Sequence, residues 1–297
     1  MDYRQVIKES WEFTQENKRL IFWYGFVPSL LTTLVSVLFF TYQIIATYKS
    51  ITVSEGEHTS FLREVIEALY IFIKTHPTQG IIFIIAVLVI LFFYLVIPTL
   101  CQGARIQLIS RQLNGQKTRI RDGLIYGMFS FLPLFEYHVA IKTFSIVAIL
   151  TEAGFTLRNL GMGWFKALII PFLFFALVGL VLSLIFTYTE YFIVIDKTPT
   201  FRSIIASCRL VLYHWQETFL ILLLMFLITL RIIFNILLVF IIPALVIIPA
   251  GYLATKTLAT IGVIIGIILG LVSLSFAAYF SGILEVFTST VWVKTFL

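Results

Sequence analysis

Charge is what this chain has least of. Only 12% of its 297 residues are Asp, Glu, Lys or Arg, against about 25% in soluble domains. That shortage excludes an ordinary soluble protein. Cysteine is nearly absent: Cys101 and Cys208 are the only two, and both read as free thiols of a reducing compartment. The four histidines, His58, His76, His138 and His214, are dispersed, so no metal site is expected. The chain lacks H-E-x-x-H, G-x-S-x-G and G-x-x-x-x-G-K-[ST], the spacings that build a zinc site, a nucleophile elbow or a phosphate cradle. No catalytic residue and no cofactor are therefore assigned, and a non-enzymatic role is expected. The alternating pattern of a membrane β-barrel is missing. The first 19 residues are polar and amphipathic without a small-residue cleavage site, so no cleaved signal peptide is expected.

What remains is apolar. Hydrophobic residues make up 60% and mean hydropathy is +1.02. Six long apolar runs lie at 20–47, 79–104, 136–158, 165–195, 217–248 and 257–292, each long enough for the ~20 residues that cross a bilayer. They predict an all-α polytopic membrane protein with about six transmembrane helices. The expected layout is an N-terminal amphipathic helix over 1–19 and a single membrane domain over 20–297.

The basic residues are unevenly placed. Thirteen fall on one side of that layout: Arg4, Lys8, Lys18, Arg19, Arg105, Arg111, Lys117, Arg119, Arg121, Lys197, Arg202, Arg209 and Lys294. Six fall on the other: Lys49, Arg63, Lys74, Arg158, Lys166 and Lys256. By the positive-inside rule both termini are expected in the cytoplasm, here of a bacterial inner membrane. The net charge of +6 then faces anionic lipid rather than nucleic acid.

Two basic stretches read as interfacial elbows, 117–132 and 197–213. In the second, Phe201, Ile204, Ile205, Cys208 and Val211 are expected on the lipid-facing side, with Arg202, Ser203 and Arg209 off it. A third amphipathic stretch, 60–74, belongs to the outer loop. The first two superpose at a shift of 80 residues, Lys117-Thr118 on Lys197-Thr198 and Gly127 on Ser207, which points to internal duplication. Arg119, Arg121, Lys197, Arg202 and Arg209 are the expected lipid-headgroup contacts.

The N-terminal "IKESWEFTQENKRLIFW", the stretch "FIVIDKTPTFRSIIASCRLVLYHWQETFLI" and the six-span layout resemble bacterial six-helix integral membrane families of unknown function. These are grouped with the membrane domain of glycerophosphodiester phosphodiesterases. The resemblance covers most of the chain and implies a fold and a location. It carries over no catalytic residue, and the soluble phosphodiesterase domain of those enzymes has no counterpart here.

Charge within the bilayer is expensive, roughly 2.5–3.5 kcal/mol at its centre, so each such residue needs a partner. Arg231 and Glu152 both fall ~24 Å from their inner boundaries by the 1.5 Å rise per residue, which predicts an Arg231–Glu152 pair with Asn235 one turn on. Lys142, Glu190 and Glu285 form a second layer near the inner side. Gly262, Gly266 and Gly270 space a small-residue stripe along the last helix, expected to pack within the bundle or, alternatively, along a homodimer seam. The expected partners are the bilayer with anionic headgroups and an unidentified membrane protein or second copy. The leading functional expectation is a membrane organising or accessory protein. The alternative is a transporter or channel-like protein with a polar path.

Overall fold

A computed structural model describes residues 3–52, 61–142, 144–228, 230 and 259–297. Every regular element among them is helical. They are α1 (Tyr3–Glu16), α2 (Lys18–Ile21), a π turn (Phe22–Phe26), α3 (Val27–Thr52), α4 (Phe61–Thr75), α5 (Pro77–Leu113), α6 (Asp122–Lys142), α7 (Ile146–Asn159), α8 (Gly161–Ile185), α9 (Thr189–Val194) and α10 (Thr200–Tyr213). Then come α11 (Trp215–Ile228) and α12 (Ala259–Phe296). Five helical stretches are long and apolar enough to cross a membrane: Lys18–Ala46, Pro77–Leu113, Asp122–Ile141, Met162–Ile185 and Gly270–Phe296. Counting the bent pair α10 and α11, which turns through 97°, as one span makes six. The chain is an all-α polytopic membrane protein.

α5 shows how local chemistry sets the boundaries. α5 starts on Pro77, which has no N–H to leave unpaired at a first turn. It runs 37 residues, ~55 Å at 1.5 Å per residue, well beyond a hydrocarbon core of ~30 Å. It stops at Gly115, whose φ of +74° is open to a residue without Cβ. There Gly115 N–H donates to the Gln112 carbonyl at 3.0 Å and Gln116 N–H to Arg111 at 2.9 Å, the paired bonds of a Schellman stop.

Most of the buried side chains lie at one end of the bundle. Leu20, Tyr24, Ala104, Leu108, Tyr191, Val286 and Trp292 belong to a single buried cluster. Away from it, Ile82, Phe92 and Ile170 are 63%, 61% and 74% exposed, and only 6% of the apolar windows of α5 and α8 is buried. Contiguous apolar surface of this extent suits hydrocarbon, not water. The packed end gathers both termini. Trp11 of α1 meets Phe287 of α12 edge to face at 5.6 Å, and Lys294 Nζ donates to Glu9 at 2.7 Å. The turn before α6 joins them through Tyr24 Oη, which donates to the Ile120 carbonyl at 2.6 Å. α9 joins through Phe192, 4.8 Å from Phe296. The segments carrying the thirteen basic residues therefore converge on one end.

Lys294 also sets a pH response. Its hydrogen bond holds the Glu9 carboxyl below the ordinary value of 4.5, with a second bond from Gln5 acting the same way. A carboxyl lowered in the folded state stabilises above its unfolded pKa, and that contribution fades as pH falls through the folded one. Amide exchange in α1, taken relative to its intrinsic rate at each pH, should accelerate as pH falls below the ordinary carboxyl value. In Glu9→Gln it should already be faster at neutral pH and lack that acid step.

The membrane layout departs from the sequence expectation in two places. The run expected to span at 136–158 is divided. α6 ends at Lys142, and Ser145 caps a new helix, accepting from Ala148 N–H at 3.2 Å. α7 has 14 residues, ~21 Å, too short to cross. The crossing stretch is Asp122–Ile141, so the expected elbow at 117–132 supplies the first half of a span. Its counterpart behaves as an elbow does: α10 is a separate amphipathic helix that meets α11 at 97°.

Candidate functional site

Two arrangements of polar side chains stand out, one buried and one exposed. The buried one is built on a single turn of α5, Cys101 to Arg105. Arg105 is buried, its side chain 8% exposed. Its Nη1 donates to Glu285 Oε2 at 2.5 Å and to the Tyr24 carbonyl at 3.0 Å, and its Nε to Ser289 Oγ at 2.9 Å. Ser29 Oγ donates to the other Glu285 oxygen at 3.1 Å. The Tyr24 carbonyl is presented by the π turn, where the i→i−4 ladder is interrupted. One guanidinium thus ties α5 to the π turn and α12, and Glu285 extends the tie to α3.

One turn earlier, Gln102 Nε2 donates to Glu190 Oε2 and its Oε1 lies 2.8 Å from His138 Nε2. His138 is also 3.8 Å from Glu190 Oε1. This second group joins α5, α6 and α9. Beside it, burial first and the Glu190 charge next push the Tyr191 phenol well above its ordinary value. Chemically the belt is a closed clamp. Arg105 faces Glu285, Gln102 bridges Glu190 and His138, and neither the α10 groove nor the cleft between α1 and α12 is lined by any of them.

The expected second layer is Lys142, Glu190 and Glu285. Glu190 and Glu285 sit at the packed end, but each has its own partner. The Lys142 side chain lies outside the described residues, and Arg105, assigned by sequence to a loop, occupies the place expected of it. Its helical signal was available: Ala104, Ile106, Leu108 and Ile109 around it are fully apolar and buried, which a solvent loop would not need. Gln102, Ser29 and Ser289 were missed because neutral polar residues are unremarkable in an apolar run. Glu152 is exposed on α7, while Arg231 and Asn235 lie outside the described residues. Of the stripe Gly262, Gly266 and Gly270, only Gly270 has a described side-chain environment. It is exposed, and a Cβ there would meet nothing described within 4 Å.

The exposed arrangement is basic. Arg119, Arg121, Lys197, Arg202 and Arg209 are all exposed, near Phe129 at 81%, Phe201 at 75% and Tyr213 at 83%. The faces of α10 follow the expectation at Phe201 and Ile205 and depart from it at Val211. Ser203, Ser207 and Val211 are buried, whereas Phe201, Ile205 and Leu212 point outward. The inward serines satisfy backbone at a close crossing: Ser207 Oγ donates to the Ile185 carbonyl at 2.8 Å and accepts from Tyr188 N–H at 3.2 Å. Its counterpart Gly127 makes the matching approach on α6, where a Cβ would lie 2.4 Å from the Leu100 carbonyl. Both small residues seat their helix on the backbone that precedes them. Lys197, with φ +54°, is left-handed two residues after the position that matches Gly115 at the 80-residue shift.

Among the described residues no three of His, Cys, Asp and Glu gather to hold a metal ion. No family model, no curated protein and no solved structure matches the chain.

Proposed function

We propose that this chain is a non-enzymatic accessory protein of a bacterial inner membrane that engages anionic lipid through the basic, aromatic-rich end of its bundle. The observation that carries this is the convergence of α1, the turn before α6, α9, α10 and the end of α12 into one packed end that exposes Arg119, Arg121, Lys197, Arg202 and Arg209 beside large apolar side chains. Guanidinium and ammonium groups held there meet phosphates, while phenyl and alkyl groups enter the acyl boundary. With the positive-inside rule that end is cytoplasmic, and both termini with it. This reading keeps the likeness to the membrane domain of glycerophosphodiester phosphodiesterases as one of scaffold alone. The hydrogen-bonded pairing of Arg105 with Glu285 and of Gln102 with Glu190 favours it over a polar transport path, which needs a wet route to such charges.

The test uses the full chain purified in nonionic detergent. Phosphatidylglycerol should raise its melting temperature more than phosphatidylcholine does. The difference should shrink between ~0.1 M and ~1 M salt, as the screening length falls from ~10 Å to ~3 Å. Replacing the five basic residues by glutamine should remove the difference. Equal, salt-insensitive stabilisation by both lipids would sink the proposal.

A further inference from the structure

The basic residues of α10 do more than add to a diffuse positive surface. Arg202 and Arg209 are seven residues apart, two helical turns, so they leave the same face ~10 Å apart. Between them on that face is Ala206, whose small side chain leaves an open groove of about 480 Å³, within the ~300–1,000 Å³ usual for small-molecule sites. Ile205, Leu210 and Phe192 supply its apolar lining, and Tyr213 and His214 close one end. Glu217, the nearby carboxylate, is bound to His214 Nδ1 at 2.8 Å.

Each element of the groove answers to one part of a phospholipid. Two guanidiniums present planar forks of N–H donors that match phosphate oxygens. The Tyr213 hydroxyl, on the same face, offers a donor for headgroup hydroxyls. Phe201, Ile205 and Leu212, outward on the adjoining face, provide a track for an acyl chain. The 97° turn into α11 places this track where a helix lying across the bundle end gives way to one running along it. A free inorganic anion would use the arginines and leave the apolar wall wet. We propose that the α10 groove is a discrete site for a single anionic phospholipid, its phosphate held between Arg202 and Arg209. This rests on the reading of the basic end as a lipid-facing surface and adds to it a defined stoichiometry and geometry.

The experiment titrates phosphatidylglycerol into the full chain in nonionic detergent and counts retained lipids by native mass spectrometry. One tightly held lipid is expected, preferred over phosphatidylcholine. The pair R202K/R209K keeps the charge but loses the forks, and should weaken that lipid at least tenfold. K18Q/R19Q, at exposed basic positions outside the five headgroup contacts, removes as much charge as R202Q/R209Q would, yet should leave it bound. If the lysine pair binds like the parent, or if K18Q/R19Q loses as much as R202Q/R209Q, attraction is diffuse. The groove site then falls while the anionic-lipid reading stands. If the parent shows no preference for phosphatidylglycerol, both fall. If millimolar inorganic phosphate displaces the lipid completely, the groove is an anion site and not a lipid site. Helical content by circular dichroism, unchanged in every variant, guards against misfolding as the cause.

Discussion

Glu285→Leu should destabilise the protein by about 3–5 kcal/mol, and Arg105→Leu/Glu285→Leu should recover most of that loss. The asymmetry of burial sets the order of the single changes. The Arg105 side chain is 8% exposed and that of Glu285 is 37% exposed. Removing Glu285 leaves a guanidinium enclosed, with only the Tyr24 carbonyl and Ser289 to accept from it. Removing Arg105 leaves a carboxylate that keeps Ser29 and some water. Arg105→Leu should therefore be milder than Glu285→Leu, at about 2–3 kcal/mol after allowing for that exposure. Denaturant unfolding of the four species in detergent gives the coupling directly. Losses that simply add would mean the two groups act independently and would refute the clamp.

This pair also shows how far the sequence was readable. Apolar run length marks most of the membrane crossings, because the bilayer imposes a length and leaves few charges within it. It fails at 136–158, where Ser145 can cap a new helix and the run continues without a change in hydropathy. Hydropathy sums over such a break; hydrogen bonding does not. Partner choice fails for a different reason. Glu285 was recognised as needing a cation, but its cation is 180 residues away on a helix that outlasts the hydrocarbon core. Counting rise per residue from an assumed boundary places Arg105 in water. The packing of the π turn, α9 and α12 against that end of α5 converts it into protein interior. On α10 the arginines were read correctly as exposed. The apolar face was legible in part: Phe201 and Ile205 do point outward, but Val211 turns inward beside Ser203 and Ser207, whose small size admits them to a close crossing.

Close crossings account for the second large effect. Gly282→Ala should destabilise the bundle by about 1–3 kcal/mol, although alanine is by itself ~1 kcal/mol better than glycine within a helix. A Cβ at Gly282 would stand 2.5 Å from the Phe26 backbone nitrogen, and one at Gly25 would stand 2.6 Å from the Gly282 carbonyl oxygen. Both obstacles are backbone, so no side chain can swing away, and α12 must move off the π turn. That movement would draw Glu285 and Ser289, one and two turns along α12, away from Arg105. Gly282→Ala and Arg105→Leu should therefore lose less together than the sum of their separate losses. Gly154→Ala on α7 is the control: a Cβ there meets nothing described within 4 Å, so only the helix preference remains, and its melting temperature should hold or rise. The result that would sink the argument is Gly282→Ala melting at or above the parent. The sequence drew the eye to Gly262, Gly266 and Gly270 because they repeat. Gly25 and Gly282 share no spacing at all, since a contact between two helices is written once on each and leaves no period to find.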